Sequence, residues 1–168
     1  MTKNFSFNKE NTIAIEQIIK NYPEGRQRSA ILPLLTLAQK QNDGWLPLSA
    51  IEHVANILQM PAIRVYEVAS FYSMFNLKPV GKYHLQICGT TPCYLRGAEK
   101  IRKICEEKLN IKLGETTKDN LFTLSEVECL GACTVAPVMQ INNEQYYENL
   151  DEEKLTELLN KLKETGYA

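Results

Sequence analysis

The cysteines constrain this chain more than any other feature. None occurs before position 88; they then fall at Cys88, Cys93, Cys105, Cys129 and Cys133. Cys88-Gly89-Thr90-Thr91-Pro92-Cys93 is a C-x4-C run and Cys129-Leu130-Gly131-Ala132-Cys133 a C-x3-C run. The stretch Met1 to Asn11 has no hydrophobic core segment and no arginine, so it reads as neither a secretory signal nor a transit peptide. An odd number of cysteines without an export signal argues against a disulfide framework. Two close pairs and one outlier point instead to metal ligation.

Composition removes several classes. A chain of 168 residues makes one large domain or two small ones. A hydrophobic share of 44% with 23% charged residues excludes a disordered or collagen-like chain. Nineteen basic and twenty acidic side chains leave a net charge of −1, which gives no electrostatic reason for a nucleic acid or an anionic membrane as main partner. No apolar run approaches the ~20 residues that span a bilayer. The expectation is a soluble, cytosolic chain without direct membrane insertion.

Periodicity changes near Val80, and the two parts are expected as residues 1–80 and 81–168. The first is helical. Ile13, Ile15, Ile18 and Ile19 cluster on one side of a helix that stops near Tyr22-Pro23. A second helix is expected from Ser29 to Gln41, ended by Asn42-Asp43-Gly44. Pro33 inside it must kink the helix or mark its first turn. A third is expected over Ser49–Leu58, stopping before Pro61. A fourth, from Ala62 to Phe75, would put Val65, Val68, Ala69 and Tyr72 on a common face. In the second part Tyr83–Ile87 reads as a strand running into Cys88, followed by a helix from Leu95 to Leu109. Leu121–Val127 and Val138–Ile141 read as strands, with Asn142-Asn143 or Asn143-Glu144 turning into Gln145–Glu148. A last amphipathic helix spans Asp151–Lys163, with Asp151 as N-cap. The class is α+β: a helical N-terminal lobe, then a small mixed sheet covered by two helices.

Each cysteine pair sits in a loop directly after an expected strand, so both loops should leave the same kind of sheet edge and face one another. Four converging thiolates suit a tetrahedral zinc or an iron–sulfur cluster. Structural zinc favours C-x2-C knuckles, and both pairs here are wider. A [2Fe–2S] rhomb takes two thiolates per iron and benefits from N–H donors around its sulfurs, which Gly89, Thr90, Thr91, Gly131 and Ala132 can supply. Arg96 and Lys100 are candidates for offsetting the cluster's negative charge. A zinc staple and buried core thiols stay open as alternatives. A thioredoxin-type dithiol would need C-x-x-C, which is absent. Cys105, mid-helix on an apolar face, reads as core. His53 and His84 are isolated, and the aromatic-rich stretch Tyr66–Phe75 is either packing or a docking surface.

Asp119-Asn120-Leu121-Phe122-Thr123, followed five residues later by Cys129-Leu130-Gly131-Ala132-Cys133-Thr134-Val135-Ala136-Pro137, resembles the family of the [2Fe–2S] E subunit of NADH–quinone oxidoreductase. That family includes the 24-kilodalton subunit of mitochondria. The resemblance extends through Glu67–Phe75, Lys78–Tyr83, Cys88 to Gly97, Ser29–Leu35 and Gly44-Trp45-Leu46-Pro47. It implies a thioredoxin-like domain carrying one [2Fe–2S] cluster after the helical lobe, with Cys88, Cys93, Cys129 and Cys133 as ligands and no counterpart for Cys105. It also implies an electron-carrying subunit that sits beside a flavin-bearing, NADH-binding partner, the F subunit. The complex would pass electrons from NADH through FMN and iron–sulfur centres to quinone while translocating protons. It would lie peripherally on the cytoplasmic face of a bacterial inner membrane. No G-x-G-x-x-G fingerprint occurs in the chain, so NADH and FMN are expected on the partner and no catalytic residue is expected here. The alternatives are the equivalent subunit of a soluble NAD-linked hydrogenase or formate dehydrogenase, a free thioredoxin-like ferredoxin, and a zinc-stabilised interaction module.

Overall fold

The computed structural model describes residues 5–166. Met1–Asn4, part of the stretch read for export signals, and residues 167–168 lie outside the described residues. The chain forms two compact units that divide between Pro79 and Val80.

The first unit is built from α1 (Lys9–Lys20), α2 (Ile31–Gln41), α3 (Leu48–Leu58) and α4 (Ala62–Phe71), with a 3₁₀ turn over Gln27–Ala30. Asn8 caps α1 by accepting the Asn11 N–H at 2.8 Å. Of the four α1 isoleucines only Ile15 is buried, and Ile13 faces solvent, so the expected apolar face is narrower than its count suggested. Pro33 falls in the first turn of α2, where its missing N–H leaves no helical bond unmade. The expected fourth helix is too long. It stops at Phe71 because Tyr72 takes an extended backbone (ψ 114°), and Tyr72 is exposed rather than on the packed face with Val65 and Ala69. Leu34, Leu35, Leu46, Ile51, Val54 and Val65 fill the interior of this bundle.

The second unit carries β1 (Tyr83–Cys88), α5 (Thr91–Leu95), α6 (Ala98–Leu109), β2 (Phe122–Val127), β3 (Met139–Ile141), β4 (Gln145–Tyr147) and α7 (Glu152–Gly166). The sheet order is β2-β1-β3-β4. β1 and β2 run parallel with Cys88 opposite Val127, while β1–β3 and β3–β4 are antiparallel. A parallel pair requires a crossover, and α5 and α6 provide it. The helix expected from Leu95 starts later, as α6 at Ala98: Gly97 at φ 99° is its N-cap, a conformation open to glycine at little cost, and Leu95 ends the separate short helix α5. Asn142 and Asn143 both have positive φ, as a two-residue hairpin turn demands. Asp151 accepts the Lys154 N–H at 2.8 Å and so caps α7.

Strand alternation gives β1 two different faces. Leu85 and Ile87 join Leu124, Met139, Ile141, Ile101, Ile104, Leu155 and Leu159 in one buried cluster, and Cys105 lies within it. His84 and Gln86 point the other way and are buried as well. Gln86 is held at both ends of its amide, donating to Asn143 Oδ1 at 2.7 Å and accepting the Asn143 N–H at 3.0 Å. His84 Nε2 lies 2.8 Å from Ser125 Oγ, but its Nδ1 has no hydrogen-bond partner. Both faces of β1 are thus covered, and the strand that ends in Cys88 is the most enclosed element of the unit.

Candidate metal centre

Parallel pairing puts the C-terminal ends of β1 and β2 at the same side of the sheet. Cys88 is the last residue of β1, and Cys129 follows two residues after β2. Cys93 departs from expectation in one respect: it stands on the short helix α5 rather than in a loop, with Pro92 fixing the first turn. Cys133 opens a 3₁₀ turn, and Gly131 at φ 76° bends the chain between the second pair. The first pair is buried and the second exposed.

The two loops meet at the sulfurs. The Leu130 backbone N–H of the opposite loop helps to lower the Cys88 thiol, and the Thr90 hydroxyl lies 3.3 Å from Cys88 Sγ. Cys129 Sγ lies 3.7 Å from Cys133 Sγ and accepts the Gly131 N–H at 3.4 Å. Two sulfurs held at ~2.3 Å by one tetrahedral metal lie ~3.8 Å apart, so the second pair is already spaced to share an ion.

The protons divide unevenly within each pair. Burial acts to raise the Cys88 thiol, yet the Thr90 hydroxyl and the N–H groups of Thr90 and Leu130 outweigh it and hold its pKa below the ordinary thiol value. Its neighbour Cys93 is pushed up to about 11, first by burial and then by Cys88 itself. In the second pair the Gly131 N–H leads in lowering Cys129, and Cys129 in turn raises Cys133. Each pair therefore offers one sulfur that favours the thiolate, the form that binds metal. Cys105, pushed up to about 12 by burial, behaves as a core thiol.

The two pairs face one another across the loops, and Cys88 and Cys133 act electrostatically on thiols of the opposite pair. A structural zinc needs four ligands about one ion, whereas a [2Fe–2S] cluster needs two thiolates per iron and completes each iron with sulfide. The four thiols and their N–H donors fit the cluster.

Residues 15–163 match the thioredoxin-like [2Fe–2S] ferredoxin family. The chain belongs to this family. Among its relatives is the E subunit of the NADH-quinone oxidoreductase of Rickettsia felis, 65% identical over 95% of this chain and 95% of that protein. The mitochondrial NADH dehydrogenase [ubiquinone] flavoprotein 2 of Dictyostelium discoideum is 49% identical over 95% of this chain and 64% of its own length. A chain of an NAD+-reducing [NiFe]-hydrogenase in its air-oxidised state shares the fold, with a TM-score of 0.68 at 21% identity over 78% of this chain. The match spans 23% of that hydrogenase chain. The α+β class expected from sequence is the class of this family, and the cluster expected from the cysteines is the one its name carries.

Some expectations need correction. The Gly89 N–H is not aimed at sulfur; it bonds the Val127 carbonyl at 3.0 Å and extends the sheet. Lys100 pairs with Glu152 at 3.1 Å on the surface. His53, expected to be no ligand, packs against the rings of Phe5 and Phe7. Three sulfur-directed donors were not foreseen: the Leu130 and Val138 N–H groups and the Thr90 hydroxyl. Periodicity carries no trace of them, because the N–H groups depend on how distant segments meet and the hydroxyl on its rotamer.

Proposed function

We propose that this chain is the [2Fe–2S] electron-carrying subunit of the NADH dehydrogenase module of a proton-translocating NADH:quinone oxidoreductase. The observation that carries the reading is the 65% identity to the Rickettsia felis protein along almost the whole of both chains, together with four thiols in two facing pairs. Cys88, Cys93, Cys129 and Cys133 hold the cluster. A bound [2Fe–2S] cluster accepts and returns one electron at a time, with no bond to substrate.

The remaining tasks belong to the chain. β1 and β2 fix the bases of the two loops, and buried Cys88 and Cys93 keep water from one side of the site. Backbone N–H groups of Thr90, Leu130, Gly131 and Val138 stabilise negative charge on sulfur. NADH and FMN bind a partner, the flavin-bearing F subunit, since this sequence holds no dinucleotide fingerprint. No helix among the described residues is long and apolar enough to cross a membrane. Attachment to the cytoplasmic face of the inner membrane is through the other subunits of the peripheral arm.

Purification of the native assembly through a tag on this chain tests the reading. Recovery of a flavoprotein with NADH:quinone activity and a membrane arm is the expected result. Recovery of a soluble hydrogenase or formate dehydrogenase alone overturns the parent complex and leaves the cluster assignment standing.

A further inference from the structure

Thr90 is two residues beyond Cys88 and is the N-cap of α5, so its backbone is fixed at both ends: by the end of the strand and by the Tyr94 N–H bonding its carbonyl at 2.9 Å. Its side chain does not cap the helix: the second helical residue is Pro92, which has no N–H, and the N–H of the third, Cys93, receives no side-chain cap. The hydroxyl is turned instead to sulfur, 3.3 Å from Cys88 Sγ. A side chain that leaves the helix end uncapped and touches a ligand cysteine is placed for the metal site and not for the helix.

We propose that Thr90 is a positioning residue whose hydroxyl donates to the Cys88 sulfur and sets the reduction potential of the cluster upward. The inference rests on the cluster assignment made above. Once all four cysteines are metal-bound thiolates they carry no proton, so the hydroxyl can only donate to them. Reduction adds one negative charge to the cluster, much of it borne by sulfur. A donor aimed at sulfur stabilises the reduced form more than the oxidised one, and this raises the potential. The direction is opposite to that of burial, which disfavours the more highly charged state.

The test uses the full chain carrying its cluster, with potentials read by spin-resonance redox titration. Thr90→Val keeps the shape of the side chain and removes only the hydroxyl. It should shift the reduction equilibrium three- to tenfold toward the oxidised form, about 30–60 mV lower by the one-electron conversion. Thr90→Ser keeps the donor and should stay within twofold of the parent. Thr90→Ala, which removes the methyl too, should match Thr90→Val if the hydroxyl is what counts. A wild-type potential in Thr90→Val with its cluster intact overturns the proposal. Loss of the cluster in both Thr90→Val and Thr90→Ala assigns the hydroxyl to assembly alone and overturns it equally. Failure of the parent chain to show a [2Fe–2S] signal is a different outcome, which removes the cluster assignment itself.

Discussion

His84 gives the most quantitative prediction. It lies four residues before Cys88 on the enclosed strand β1, with one ring nitrogen on Ser125 and the other unpartnered. Burial lowers its pKa from 6.5 to about 4. The folded protein therefore holds the imidazole neutral through a range in which the unfolded chain protonates it. Between about pH 6.5 and pH 4 the unfolded state binds more protons, so stability rises with pH across that window and is lost as the pH falls. At about 1.36 kcal/mol for each pH unit by which the pKa is displaced, the full loss is about 3 kcal/mol. Between pH 7.5 and pH 5, where most of the window is crossed, it is about 2 kcal/mol. The comparison is with His84→Gln, which cannot titrate and cancels the carboxylates and His53. The only tryptophan, Trp45, belongs to the other unit, so urea unfolding should be followed by amide resonances of β1 and β2. A parent chain no more acid-sensitive than His84→Gln, or a His84 titration midpoint near 6.5, would refute the argument.

Other outcomes follow from packing and ligation. Gly81→Ala would bring a Cβ within 2.8 Å of the Phe122 backbone, which cannot yield, so the sheet should lose about 1–3 kcal/mol in urea unfolding. Cys105→Ala should retain the cluster spectrum and cost ~1–2 kcal/mol for the small cavity left in the buried cluster. Cys129→Ala removes one of the four thiolates and should abolish the visible and spin-resonance signals or replace them with those of a labile cluster. An unaltered spectrum would dismiss Cys129 as a ligand.

The sequence revealed the elements better than their ends, and the pairs better than their surroundings. The switch from helical to strand period and the turn at Asn142-Asn143 were readable because each depends on neighbours in the chain. The overlong fourth helix was misread because apolar residues continue past Phe71: Phe75 is buried from a turn, and burial alone looks the same in either conformation. Gly97 stood in plain view inside the expected helix, but a glycine there is tolerated as often as it breaks the run, and only φ decides. At the metal centre the cysteine spacing named the ligands to consider. The Leu130 and Val138 N–H groups act on Cys88 and Cys93 from segments more than thirty residues away in the chain, which no local pattern encodes, and the turn of the Thr90 hydroxyl toward Cys88 is a side-chain choice that spacing does not fix.

Spin-resonance spectroscopy of the chemically reduced full chain, with iron and acid-labile sulfide counted on the same sample, bears most directly on the four-cysteine site. A single S = 1/2 signal with iron and sulfide in equal amounts, two of each per chain, is the expected result. A colourless protein holding one zinc and no labile sulfide would contradict it.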